Sequence, residues 1–220
     1  MYNNSKFIDD YRHRGLRKKL IAELRTKGIY NETVLDAFNQ VPRHFFLDKA
    51  FEELSYQDRP VPIGNAQTIS QPYTVALQSQ LLNVQKRDKI LEIGTGSGFQ
   101  ACILAAMGAK VYTIERQEEL YRKTNQKLTD LGFSQIKCFL KDGFLGLPPF
   151  APFDKIIVTA APEDLPYQLI DQLVVGGIMV LPKGSYKKQK MVVLTKTSNT
   201  TYSLQEKQDA YFVPMLSGIQ

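Results

Sequence analysis

The stretch KILEIGTGSG, residues 89–98, decides the fold. An apolar strand runs directly into three glycines spaced two apart, and the small-residue run FQACILAAM (99–107) follows as a helix. That order brings backbone N–H groups and a helix N-terminus against a ligand, because glycine has no Cβ to hold the ligand away. The glycines are Gly94, Gly96 and Gly98, and Phe99 stands where the dinucleotide fingerprint G-x-G-x-x-G wants its third glycine.

From this loop onward strands and helices alternate. A strand is expected over 110–114 (KVYTI), a helix over 118–131 and a strand over 136–140 (IKCFL). A strand over 155–160, a helix over 165–173 and a strand over 178–182 come next. Repeated β–α units predict a mainly parallel sheet with helices on both faces. The runs 190–198 and 201–207 read as a hairpin about Ser198-Asn199-Thr200, so the far edge is expected to be antiparallel. Upstream, helices fit residues 14–27, 32–39 and 72–82, with an irregular segment over 43–71. The chain is therefore read as one domain over 1–220. Residues 1–85 form an N-terminal helical extension, and 86–220 form the α/β core with its C-terminal hairpin.

Composition narrows the class. The 220 residues are 43% hydrophobic and 23% charged, enough for one substantial core and unlike a disordered or fibrous chain. Cys102 and Cys138 lie in apolar runs rather than a CxxC pair, and are read as buried free thiols in a reducing compartment. No 18-residue apolar run and no leader pattern opens the chain, so a cytoplasmic protein without membrane contact is expected. The net charge of +6 raises nucleic acid as a partner. Its excess falls in Arg12, Arg14, Arg17, Lys18, Lys19, Arg25 and Lys27, and again in Lys183, Lys187, Lys188 and Lys190. Leu16, Leu20, Ile21 and Leu24 form an apolar stripe between the first group, which therefore reads as a solvated helix face. The second group reads as a solvated hairpin around Gly184-Ser185. His13 is expected to be solvated, and no aromatics interleave with these cations as a stacking platform would need.

In open α/β sheets the ligand sits beyond the carboxyl ends of the strands. Glu115 ends the second core strand, where a carboxylate either accepts from both ribose hydroxyls or caps the next helix. Asp142-Gly143 follows the third strand, either as an adenine contact or as an ordinary turn. The fourth strand ends in Thr159-Ala160-Ala161-Pro162 instead of the (N/D)PP(Y/F) of amino-methylating enzymes. No GxxxxGK[ST], HExxH, metal-spaced Cys/His cluster or G-x-S-x-G elbow occurs, so no metal site is expected. One polar run remains, Gln67-Thr68-Ile69-Ser70-Gln71-Pro72-Tyr73, in which Ser70 also qualifies as an N-cap ahead of Pro72.

Together these pieces resemble the protein-L-isoaspartate (D-aspartate) O-methyltransferases. The matching runs are VPRHFF (41–46), PIG (62–64), QTISQPY (67–73), 91–100, YTIER (112–116), Asp142-Gly143, APFD (151–154), 156–162 and FVPM (212–215). Departures are Phe99 and the pair Asn65-Ala66. The resemblance implies a Rossmann-like class I methyltransferase sheet that uses S-adenosyl-L-methionine. It implies methyl transfer to the α-carboxylate of isoaspartyl residues in damaged proteins and peptides. The family's essential serine aligns with Ser70, and Thr68, Ile69, Gln71 and His44 are expected to position substrate. Gly94, Thr95, Gly96, Ser97, Gly98, Glu115, Arg116, Asp142, Gly143 and Thr159 are expected to bind the cofactor. The resemblance also suggests that Tyr211 to Met215 lies along the peptide. An α-carboxyl with pKa near 3.3–3.7 is already ionised at neutral pH, so such an acceptor requires no general base. With no heptad and no large apolar stripe, a monomer that does not bind nucleic acid is expected.

Overall fold

The chain is described here from a computed structural model covering residues 7–185 and 187–220; the first six positions of the stretch scanned for a leader lie outside it. Asp10 opens helix α1 (Tyr11–Thr26) as its N-cap, accepting from the His13 N–H at 2.8 Å. Asn31 does the same for α2 (Glu32–Gln40), which ends as Pro42 approaches. Leu20 and Leu24 of the expected stripe are buried, and Leu16 and Ile21 are half-buried against the same core. His13 and Arg17 depart from the expected solvated face. Both are buried because Asp9, Glu52 and Tyr56 surround them: Arg17 donates to both Asp9 oxygens at 2.9 Å, and His13 Nε2 bonds Glu52 at 2.9 Å. The other cations of α1 remain exposed.

Residues 43–71 are more ordered than the irregular segment expected. Two 3-10 turns, Arg43–Phe46 and Lys49–Leu54, lead into a hairpin of β1 (Val61–Gly64) and β2 (Gln67–Ile69). Its two-residue turn holds Asn65 and Ala66 at φ 52° and 54°, a hairpin geometry that normally selects glycine. Helix α3 (Pro72–Leu82) then returns to the core with Pro72 in its first turn.

The core strands are β3 (Lys89–Ile93), β4 (Lys110–Glu115), β5 (Lys137–Leu140) and β6 (Phe153–Val158), followed by β7 (Leu173–Ser185), β8 (Lys188–Lys196) and β9 (Tyr202–Ala210). They form one sheet in the order β5-β4-β3-β6-β7-β8-β9, parallel as far as β7 and antiparallel across β7-β8-β9. Helices α4 (Phe99–Ala106) and α5 (Glu118–Asp130) occupy the expected places. Helix α6 (Tyr167–Asp171) is shorter than expected because β7 begins already at Leu173, with an irregularity in register opposite 153–155. The strand order reverses between β3 and β6, so the 94–98 loop lies at the switch point where α/β sheets bind ligands. One buried cluster joins α1, α2, α3 and α4 to one face of the sheet, and a second fills the opposite face beneath α6.

The register aligns Ile157, Glu92, Thr113 and Cys138 in a row across β6, β3, β4 and β5. Glu92 is fully buried, and neither carboxyl oxygen has a hydrogen-bond partner. The facing Thr113 hydroxyl pairs with Thr95 at 2.7 Å. Burial pushes the Glu92 carboxyl up from 4.5 to about 8, against the Thr113 hydroxyl, which lowers it, and with the nearby Glu115 charge adding to the rise. The folded state therefore holds a proton that the unfolded chain releases above about pH 4.5, so this stability is lost as pH rises through about 8. Between about pH 5 and 8 the loss is on the order of 3 kcal/mol. Urea denaturation at both ends of that range should show the decline in the parent chain and its absence in Glu92→Gln; parallel declines would contradict the assignment.

Candidate active site

Over the carboxyl ends of β3, β4 and β6 opens a cavity of about 740 Å³. The glycine loop forms its floor. Gly94 has φ +95°, and a Cβ built there would lie 2.5 Å from Thr159 Oγ1. Thr159 occupies that space to good effect, donating to the Ile93 and Gly94 carbonyls at 3.0 and 2.8 Å and closing the loop against β6. Gly96, at φ +51°, donates its N–H to Glu115 Oε2 at 2.9 Å. The other Glu115 oxygen accepts from the Arg116 and Gln117 N–H groups at 2.8 and 3.0 Å. Glu115 thus orders the entry to α5 and lines the cavity with acceptor lone pairs to spare. Thr95 lines the cavity but turns its hydroxyl onto Thr113 and Cys138, while Ser97 Oγ accepts from the Phe99 N–H at 3.3 Å.

The opposite wall is β2 and the start of α3. Thr68, Ile69, Ser70 and Gln71 all line the cavity. Ser70 is not the helix N-cap. That position is Gln71, and the capping acceptor comes from elsewhere: Asp58 Oδ1 accepts from the Tyr73 N–H at 2.7 Å. Asp58 Oδ2 also takes the Gln71 amide at 3.0 Å and Lys27 Nζ at 2.6 Å. Burial alone would raise the Asp58 carboxyl, but Lys27, the Tyr73 N–H and Gln71 together hold it below the usual carboxylate range. The Ser70 hydroxyl makes no hydrogen bond to the described residues, so it remains available to a ligand.

Arg43 fixes the backbone behind that serine. Its guanidinium is 1% exposed and donates to the carbonyls of Ser55 (3.2 Å), Arg59 (3.3 Å) and Ser70 (2.9 Å). Burial lowers its pKa to about 10, so it stays charged at neutral pH.

Three expected site residues do not line the cavity. His44 is buried between Tyr56 OH (2.7 Å) and the Ile8 carbonyl (3.0 Å) and stacks on His13 at 3.8 Å, away from the cavity lining. Burial lowers its pKa. Gly98 instead lets α4 and α5 approach, since an added Cβ would meet Thr124 at 2.9 Å. Asp142 accepts from Phe144 N–H (2.8 Å) and Gly218 N–H (2.7 Å), leaving Gly143 to line the cavity beside Ile93 and Met215. The sequence reading missed Asp58, which has no periodic context. It also missed Gln189, whose side-chain amide pairs with both backbone groups of Phe212 (2.8 and 3.0 Å) and holds the 211–215 segment along the rim.

The family model described as protein-L-isoaspartate(D-aspartate) O-methyltransferase matches residues 15–220. A protein-L-isoaspartate O-methyltransferase of Cytophaga hutchinsonii is 50% identical over 208 residues, 94% of each chain. That of Christiangramia forsetii is 48% identical over 94% of this chain and 97% of its own. Among solved structures, a protein-L-isoaspartate O-methyltransferase superposes with a TM-score of 0.82 at 25% identity, covering 90% of this chain and 65% of the other. One from Plasmodium falciparum, solved with S-adenosyl-L-homocysteine, gives 0.80 at 24% identity over 91% and 98%.

Replacing Arg43 by lysine keeps the charge but cannot reach three carbonyls from one ammonium group. Arg43→Lys should lower unfolding free energy by about 2–4 kcal/mol, from buried acceptors left unpaired. A fall below about 1 kcal/mol in urea titrations would show that the three-carbonyl bridge is not needed.

Proposed function

We propose a residue assignment for this chain, which belongs to the protein-L-isoaspartate(D-aspartate) O-methyltransferase family and transfers a methyl group from S-adenosyl-L-methionine to the α-carboxyl of isoaspartyl residues. The observation that carries the assignment is one cavity with two unlike walls. A glycine loop and an acceptor carboxylate form one side, and an unengaged serine hydroxyl faces it from the other. The cavity volume suits a nucleoside cofactor with part of a peptide.

The residues fit the cofactor. Gly94 and Gly96 have no Cβ to obstruct close approach, and Glu115 keeps acceptor capacity for ribose hydroxyls. Ile93, Ile114, Gly143 and Met215 give the base an apolar slot. When bound, S-adenosyl-L-methionine supplies a methyl group carried on a cationic sulfur. Ser70 donates one hydrogen bond to the acceptor carboxylate, and Thr68 offers a second from the same wall. Two hydroxyls orient the anion without spending its nucleophilicity, which a guanidinium clamp would do. Here both nearby guanidinium groups are otherwise occupied: Arg43 by three carbonyls and Arg116 by the 217–220 segment. Neither histidine lines the cavity, and an ionised carboxylate needs no base. Placement in a poorly solvated site is then the main source of rate, with about 7–11 kcal/mol available from it.

The fused core supports one domain, since α1 and α2 pack into the same cluster as β3 and α4. Most cations of α1 are already paired: Arg12 with Glu53, Arg25 with Glu32, Lys27 with Glu23 and Asp58. That pairing favours a protein that does not bind nucleic acid. No helix among the described residues is long and apolar enough to cross a membrane. The free thiols of Cys102 and Cys138 fit a reducing cytoplasm, and the dispersed exposed apolar side chains fit a monomer.

The test uses methyl-labelled cofactor and one peptide in isoaspartyl and normal aspartyl forms. Base-labile label should enter the isoaspartyl form alone, and Ser70→Ala should lower kcat by about 100-fold with cofactor binding retained. Equal labelling of both peptides, or full activity in Ser70→Ala, would overturn the assignment.

A further inference from the structure

The glycine loop and β-strand ends leave the nucleoside end of the cavity without an outer wall of their own, and the C-terminal segment crosses that gap. Met215 and Leu216 line the cavity, and Met215 is anchored to Ala161 by an N–H to carbonyl bond of 2.8 Å. Beyond them the chain is exposed, and polar bonds fasten it. Arg116 donates to the carbonyls of Ser217 (3.4 Å) and Gly218 (3.0 Å) and to Gln220 Oε1 (3.0 Å). Asp142 Oδ2 accepts from the Gly218 N–H at 2.7 Å, and the backbone groups of Gln220 pair with Arg116 and Glu118 at 2.8 Å. Gly218 sits at φ +78° with open space where a Cβ would point, so glycine serves the turn and not close packing.

Arg116 and Asp142 flank the expected ribose and adenine positions; the Arg116 guanidinium and one Asp142 oxygen bond this segment, while the other Asp142 oxygen accepts from the Phe144 N–H. We propose that residues 216–220 are a strap forming the outer wall of the nucleoside end, and that Arg116 and Asp142 act on the cofactor through it as positioning residues. The inference rests on the reading of the cavity as the S-adenosyl-L-methionine site. A strap held by exposed hydrogen bonds can lift without disturbing the sheet, as weakly protected segments do. Closed, it keeps water from the apolar slot of Ile93, Gly143 and Met215; open, it lets the spent cofactor leave.

Gly218→Pro tests this away from the cavity lining. Proline removes the N–H that Asp142 accepts and cannot adopt a φ of +78°. Arg116→Gln removes the other fastening. Calorimetric titration and stopped-flow release with S-adenosyl-L-homocysteine should show a Kd raised about tenfold and a correspondingly faster release in both variants. Melting temperature without ligand, and KM for an isoaspartyl peptide at saturating cofactor, should stay at the parent values in Gly218→Pro; Arg116 itself lines the cavity, so its variant is read by Kd and release alone. Variants that bind and release as the parent does would overturn the strap while leaving the cavity reading intact. A parent chain that fails to bind S-adenosyl-L-homocysteine would overturn the cavity reading and the strap with it.

Discussion

The Glu115 carboxylate receives three backbone N–H groups, from Gly96, Arg116 and Gln117, and the ligand-facing half of the molecule is organised around it. One side chain thereby ties the glycine loop after β3 to the end of β4 and to the start of α5. The loop requires such a tie because its glycines carry no side chains with which to hold themselves. Thr159 supplies the matching constraint from β6, filling the space a Gly94 Cβ would need. The loop is thus braced from both neighbouring strands, and its open face is left to the cofactor.

The acceptor side rests on buried charge used structurally. Arg43 and Asp58 sit in a segment without long helices or strands, where backbone groups lack regular partners. Arg43 satisfies three carbonyls, and Asp58 satisfies the first turn of α3 together with Gln71 and Lys27. Unpaired buried acceptors would each cost about 1–3 kcal/mol, so these residues order a wall that apolar packing alone does not. Their consequence for chemistry is indirect. With the first turn of α3 capped by Asp58, the Ser70 hydroxyl stays without a bond to the described residues.

Local signals made part of this legible from sequence. Helix α3 and strand β3 match their expected limits because Pro72 and the KILEI-glycine junction mark them within a few residues. The ligand end of the sheet followed from strand order and the position of Glu115. The β1–β2 hairpin was not legible, since Asn65-Ala66 adopts positive φ with no glycine at either position. The burial of His13 and Arg17 was hidden for a different reason: the groups that compensate them, Asp9, Glu52 and Tyr56, lie outside the helix that carries them. Arg116, which lines the cavity, and Asp142 also bond a C-terminal segment 102 and 76 residues away with no periodic pattern, so those contacts were not legible.

The central claim is that the acceptor arrives ionised and is positioned by hydroxyls, without a general base. The direct measurement is kcat/KM for an isoaspartyl peptide across about pH 5 to 7.5, below the range in which Glu92 ionises. The account predicts a flat profile, since the acceptor carboxyl titrates near 3.3–3.7. A sigmoidal loss centred near pH 6.5 would identify an imidazole base and contradict it.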